Sequence, residues 1–512
     1  MNIKVRLYFH RINNHSEPAV NLSKYVLGYW KIPCSEGAKR GHFQLQRQNQ
    51  GFIMLRGFIV GLLLMLGSAC SSPTSITPPN IVLIIGDDHG YPYFGFTGSA
   101  HVHTPYMDRL AHGGALFTHG HTTDNHCRPA LQTLSTGLFP IQYAAQMEAF
   151  KAREQAGDPE YRQLAPDEQA QWDFLYEANA MREFETLPGL LSRVGYVSFQ
   201  AGKWWEQSFA NGGFTEGMSK GWDPDEVGQP GFFGKLMGGD GVELVRETSQ
   251  PVFDFIDRNL DTPFFLWYGP SLPHVPLNPP KAYYARYRDT NLSESAKEYY
   301  GNCTWFDAGV GDLLNHLEMR GLLSNTLIVY VNDNGWEQPP FEEYKDVPIL
   351  YNNGGPNGKL SLHDQTFRTP IIFNWPGTIN DAVFDDILVS SVDLVPTLLD
   401  YAGIEIPEYL PGASLRPVIE GRGGIQRDAL IGRVTQMRSD TDPMGKRQTG
   451  YYVRTRQWHF TSTEGEVQLF NVEENPFEDV SADHPELISG FLEQIEDWRE
   501  EFSSPVLDPS LQ

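Results

Sequence analysis

Three uninterrupted apolar runs of strand length constrain this chain more than any other feature: Asn80-Ile-Val-Leu-Ile-Ile85, Pro263-Phe-Phe-Leu-Trp-Tyr268 and Thr326-Leu-Ile-Val-Tyr-Val331. A strand with one wet face alternates apolar and polar residues, whereas a continuous run must be covered on both faces, as in a parallel sheet between helices. The intervening segments carry helix signals. Thr104 to Gly113 reads as a capped helix closed by glycine, Leu187 to Gly195 as another, and Trp305 to Arg320 has an apolar stripe at Leu313, Leu314 and Leu317. Shorter strands are expected at 115–118 and 196–200. Strands alternating with helices predict an α/β fold on a central, mostly parallel sheet. At 512 residues the chain has room for two domains, or for one large domain with an appendage.

Each strand run ends in residues that carry chemistry. The first leads into Gly86-Asp87-Asp88-His89-Gly90, at the carboxyl edge where α/β folds bind their ligands. Adjacent acids repel unless a cation or hydrogen-bond donors hold them; taken alone, they also fit a helix-capping loop. The run at 326–331 leads into Asn332-Asp333-Asn334-Gly335. Strand ends meet across a parallel sheet, so Asp87, Asp88 and Asp333 make an all-oxygen set of the kind preferred by a hard cation such as calcium. The remaining run leads into Gly269-Pro-Ser-Leu-Pro-His274-Val-Pro276, where the histidine either packs between prolines or moves a proton. Lys203 follows the expected strand at 196–200. In Asp124-Asn-His-Cys127-Arg128-Pro129, a thiol at a helix N-terminus lies in a positive field that favours an anion. Alone, this is also the pattern of a buried cysteine ahead of a helix.

The longer stretch Cys127-Arg-Pro129-Ala-Leu131, followed by Thr136-Gly137, resembles the sulfatase signature Cys-x-Pro-x-Arg with its trailing Thr-Gly. Other motifs resemble the same family: Asp87-Asp88, Gly202-Lys203-Trp204, the proline-flanked His274, Asp333-Asn334, and Lys359 ahead of Arg368-Thr-Pro370. The resemblance spans roughly residues 80 to 500 and implies an alkaline-phosphatase-like sandwich with a small C-terminal α+β subdomain. It implies that a maturation enzyme oxidises Cys127 to formylglycine, whose hydrated aldehyde is the nucleophile. It further implies one calcium ion held by Asp87, Asp88, residue 127, Asp333 and Asn334. Lys203 and Lys359, with Arg128, would then stabilise the transferred charge, and His274 would protonate the leaving oxygen. Two positions depart from the family: Leu131 stands for its arginine, and Trp205 for a histidine thought to help deprotonate the covalent intermediate. Either Arg128 replaces the lost guanidinium, with Glu206 or His126 in place of the histidine, or the metal site survives without efficient turnover.

The implied substrate is a sulfated carbohydrate or an aryl sulfate. Phosphate or phosphonate ester hydrolysis on the same fold is one alternative, and a non-catalytic lipoprotein that binds sulfated glycans is another. Trp204, Trp205 and Trp336 fit either a sugar-stacking pocket or a core.

The formal charge is −25, and residues 1–53 hold eight Lys and Arg against two Glu, a net of +6 that leaves −31 for the rest. So acidic a chain is unsuited to nucleic acid, and an anionic substrate needs a local cationic pocket. Met54-Leu-Arg56, the apolar run to Gly67 and Ser68-Ala69-Cys70 read as a signal peptide, with Cys70 resembling a lipoprotein cleavage site. The expected organisation is an upstream extension at 1–53, the signal at 54–70, a linker at 71–79, a catalytic domain at 80–425 and a subdomain at 426–512. Residues 138–142 are expected to be a loop, and the polar stretch 147–184 a pocket wall or a solvated surface helix. Four cysteines, at 34, 70, 127 and 303, imply no disulfide framework. Export to the periplasm or cell surface, with a lipid anchor at Cys70, completes the expectation.

Overall fold

The computed structural model describes residues 78–158, 160–338, 357–436 and 448–507. The extension, the signal and Cys70 lie outside the described residues. Among the described residues no helix is long and apolar enough to cross a membrane.

Eight strands form the main sheet: β1 (Asn80–Gly86), β2 (Ala115–His121), β3 (Val197–Gly202), β4 (Glu216–Gly217), β5 (Phe264–Gly269), β6 (Thr326–Asn332), β7 (Arg368–Asn374) and β8 (Ala382–Ser390). Their order is β4-β3-β5-β1-β6-β7-β2-β8. Only β7 runs antiparallel to its neighbours, so the sheet is mostly parallel, as expected. The continuous apolar runs are covered on both sides. Ile81, Leu83 and Ile85 of β1 face one core with Leu131, Leu190 and Leu398 of the helices Cys127–Thr136, Leu187–Ser192 and Leu394–Tyr401. Val82 and Ile84 face the other, with Leu110, Phe255 and Leu313 of the helices Pro105–His112, Gln250–Arg258 and Glu294–Met319. Each such side chain contributes about 1.5–3 kcal/mol on burial, which anchors the central strands and holds their carboxyl ends in fixed register.

The second sheet is antiparallel: β9 (Leu430–Gln436), β10 (Gln448–Arg454), β11 (Trp458–Thr463), β12 (Glu466–Asn471) and β13 (Asn475–Asp479), in the order β13-β12-β11-β10-β9. The helix Pro485–Phe502 covers it through Phe491 and Ile495, which pack on Val453, Phe460 and Leu469.

Some elements differ from the sequence expectation. The expected loop at 138–142 is already the start of the helix Pro140–Gly157, because Pro140 suits the first turn and the Gln142 side chain accepts from the Phe139 N–H at 3.0 Å. The helix expected from Trp305 begins at Glu294, where the Ser293 hydroxyl accepts from the Ala296 N–H at 3.2 Å. Strand β2 runs past Thr118 to His121, held between β7 and β8.

Candidate active site

Parallel register brings the acids together. Gly86 of β1 pairs with Asn332 of β6, so the next residues, Asp87 and Asp333, leave the sheet side by side. The Asp333 N–H donates to the Gly86 carbonyl at 2.9 Å, and the Asp333 carboxylate accepts from the Asp88 N–H at 3.1 Å. Asp88 has φ +58°, a left-handed conformation that aspartate tolerates better than bulkier residues. On the other flank Gly202 of β3 pairs with Gly269 of β5. A Cβ on Gly202 would lie 1.9 Å from the Gly269 carbonyl oxygen, so glycine is required for Lys203 to enter at this point.

Lys203 Nζ donates to Asp87 Oδ1 at 2.6 Å and stands 3.6 Å from Asp333 Oδ2. Lys359 Nζ donates to Asp88 Oδ1 at 2.6 Å, and the Asn334 amide donates to the same oxygen at 2.8 Å. His274 Nε2 lies 3.6 Å from Asp88 Oδ2, while its Nδ1 meets the Val275 carbonyl at 2.6 Å. One oxygen or nitrogen from each of Asp87, Asp88 and His274 lies within 4.8 Å of the others, a grouping able to hold a metal ion.

The electrostatics are unbalanced. Asp87, Asp88 and Asp333 face two lysines, and burial lowers His274 from its ordinary value despite the two carboxylates beside it. Burial alone would raise Asp87, but Lys203, His274 and Lys359 hold it below the usual carboxylate range. Burial and the Asp87 charge push Asp333 the other way. Asp333 Oδ2 and Asn334 Oδ1 are buried acceptors without a hydrogen bond. Surplus negative charge with two orphaned oxygens is the donor set a hard cation fits.

Cys127 is buried and free, and its thiol interacts electrostatically with Lys203, Lys359, Asp333 and Asp87. Burial pushes that thiol above its ordinary value, so an unmodified Cys127 is a poor thiolate here. The fold thus brings Asp87, Asp88, Asp333, Asn334, Lys203, Lys359, His274 and Cys127 together.

Arg128 is not among them. Its Nε and Nη2 donate to the two carboxylate oxygens of Glu206 at 2.9 and 2.8 Å, and Nη2 also meets the Glu177 carbonyl at 3.4 Å. The buried carboxylate of Glu206 holds the guanidinium, so Arg128 Nε and Nη2 are engaged there. Glu206 also accepts from the Gln132 amide at 3.0 Å, so it is fully engaged with helix Cys127–Thr136. Leu131 lies in the core. Trp204 and Trp336 are 1% exposed and serve as core, whereas Trp205 is half-buried with Lys203 Nζ 5.7 Å from its ring centre.

Two supporting contacts escaped sequence reasoning. The Ser271 hydroxyl donates to Asp87 Oδ2 at 3.0 Å, and the Tyr299 hydroxyl to the Asp88 carbonyl at 2.8 Å. Ser271 had a signal, since it lies between strand β5 and His274; Tyr299 had none.

With this geometry in place, comparison with known proteins is informative. A family model described as Sulfatase matches residues 79–404, and one described as N-sulphoglucosamine sulphohydrolase, C-terminal, matches residues 356–497. Arylsulfatase A of Homo sapiens is 26% identical over 395 residues, 69% of this chain and 70% of that protein. N-acetylgalactosamine-6-sulfatase of Canis lupus familiaris is 26% identical over 433 residues, 78% of this chain and 76% of that protein. The solved structure of Ps i-CgsB in complex with k-i-k-neocarrahexaose shares the fold with a TM-score of 0.62 at 24% identity, covering 84% of this chain and 94% of that one.

Proposed function

Because the chain belongs to the sulfatase family and is a sulfuric ester hydrolase, we propose that it cleaves a sulfate ester on a carbohydrate, using formylglycine derived from Cys127 and one calcium ion. The unbalanced acid cluster beside Cys127, with its two orphaned oxygens, is the observation that carries this reading. Asp87, Asp88, Asp333 and Asn334 would hold the ion, which when bound lowers the pKa of an attacking hydroxyl and polarises sulfate oxygens. Hydrated formylglycine at residue 127 would supply a nucleophilic hydroxyl and a second hydroxyl through which the aldehyde could be restored.

The chain's own groups do the rest. Lys203 and Lys359 are buried cations, held charged by Asp87 and Asp88 despite their burial. Fixed charges in a dry site stabilise developing negative charge without reorganising. His274 donates its Nδ1–H to the Val275 carbonyl, which leaves Nε2 to take up a proton and deliver it to the leaving oxygen. Trp205 brings no base to the position of the family histidine, and Glu206 is committed to Arg128 and Gln132. Export and a lipid anchor at Cys70 belong to the same reading and rest on the sequence of residues 54–72.

Peptide mass spectrometry of the purified protein tests the reading, with an aldehyde or its hydrate expected at residue 127. Cys127→Ala should lower sulfate release by at least about 10³-fold, as loss of a nucleophile does. Full activity with an intact thiol, or unchanged turnover in Cys127→Ala, refutes the assignment.

A further inference from the structure

A pocket of about 320 Å³ opens on the N-terminal turn of helix Cys127–Thr136, lined by His126 and Arg128, the sequence neighbours of the buried Cys127, and by Gln132, Tyr143, Glu177 and Arg433. Met147, Glu148 and Glu177, from the polar stretch 147–184, line one side of it.

Both arginines are braced from behind by buried acids. Glu206 holds Arg128 through two oxygens. Asp124, fully buried, accepts from Arg433 Nε at 2.5 Å, and is itself fixed by the His126 N–H at 2.9 Å and the Thr435 hydroxyl at 3.3 Å. The arginine side chains stay 29% and 27% exposed while their acids are nearly inaccessible. An ion pair with its acid inside and its base outside turns its positive end to the pocket. Glu148 and Glu177 on the pocket wall share Lys151, at 2.7 and 3.0 Å, and the Glu148 side chain is 67% exposed. Among the described residues, Arg128 Nη1 and Arg433 Nη1 and Nη2 donate to no protein acceptor.

We propose that this pocket recognises a second anionic substituent, a carboxylate or a second sulfate, on the sugar whose ester is cleaved at residue 127. The proposal rests on the sulfate-ester reading above and names the substrate class of that site. Guanidinium forks fixed in orientation suit planar or trigonal anions, because their N–H groups need no reorganisation to bind. The charge of the chain sharpens the point. A protein of net charge −25 repels a polyanionic sugar everywhere except where cations are displayed, so a paired display beside the nucleophile selects for charge. The same geometry gives Arg128 a task outside the acid cluster.

The test compares kcat/KM for matched sugars bearing one sulfate, two sulfates, or one sulfate and one carboxylate. The wild type should prefer at least one doubly anionic sugar by about tenfold or more, the scale of a hydrogen bond to a charged group. Which of the two is preferred identifies the second anion. That preference should sit mainly in KM, shrink as salt screens it, and collapse in Arg433→Gln. Arg433→Lys, which leaves Asp124 paired, should keep part of it. Dissociation constants for the same three sugars in Cys127→Ala give a readout that needs no turnover. Equal affinity for singly and doubly anionic sugars there, or a preference that survives Arg433→Gln, overturns the proposal. Discrimination in binding without sulfate release from wild type would instead overturn the hydrolytic reading.

Discussion

Two of the buried charge clusters in this fold differ in their balance. Around Asp87, Asp88 and Asp333 three carboxylates meet two lysines, and two buried oxygens lack hydrogen bonds. Around Asp364, between the two sheets, one carboxylate meets one permanent cation: Arg454 Nε donates to Asp364 Oδ1 at 2.7 Å, and His121 Nε2 lies 2.8 Å from the same oxygen. Burial would raise Asp364, but Arg454 and His121 hold it well below the ordinary carboxylate range. In the first cluster Asp333 is driven upward instead. Matched charge of this kind joins elements. Surplus charge waits for something to bind, and proteins keep it where binding or chemistry is done.

The largest effect that would test this contrast lies in the acid cluster. Asp333→Asn should reduce turnover on the order of 10²–10³-fold, the cost of losing a preorganised electrostatic contact. In chelator, however, the variant should melt higher than wild type, because it removes the carboxylate that is in excess over the two lysines and is pushed up by burial and by Asp87. In calcium that order should reverse, since only wild type gains the ion, by about 2.7 kcal/mol at a hundredfold excess over Kd. Thermal melts with and without calcium decide it; a variant less stable under both conditions would show that Asp333 is structural.

The matched cluster should respond in the opposite way. Arg454→Met leaves a buried carboxylate with only histidines beside it and should cost about 3–5 kcal/mol, read as a fall in urea midpoint. Sulfate release per folded molecule should fall far less than in Asp333→Asn. If Arg454→Met abolishes turnover at full stability, the division between the clusters fails.

Per pH unit, a smaller effect separates them. His459, packed beside Asp364, is held by burial down at about 3, so the folded protein leaves it neutral while the unfolded chain protonates it below about 6.5. The unfolded state then binds more protons, so stability falls as pH drops from 6.5 toward 3, by about 1.4 kcal/mol per unit for this histidine. His459→Gln should flatten that slope. An unchanged slope would mean that His459 takes up its proton in the folded state.

How much of this was legible in the chain depends on sequence distance. The acids after β1 and β6 were readable because each follows its strand directly and parallel register does the rest. The loop expected at 138–142 was misread because the capping role of Gln142 depends on a local turn that composition hides. Asp364 carried no signal, since its partners His121 and Arg454 are 243 and 90 positions away. The pairing of Arg128 with Glu206, 78 positions on, likewise carries no sequence signal.

The sequence by itself determined which strands are buried on both faces, which residues leave their ends, and that a cysteine opens the helix beside them. These follow from hydrophobic periodicity and chain adjacency, which are local. Tertiary structure alone decided where each long side chain spends its charge: Arg128 on Glu206, Arg433 on Asp124 and Arg454 on Asp364. It also made Trp204 core and left Trp205 half-buried beside Lys203. A buried carboxylate takes whichever cation the fold brings within reach, because leaving it unpaired costs more than any local preference can offset.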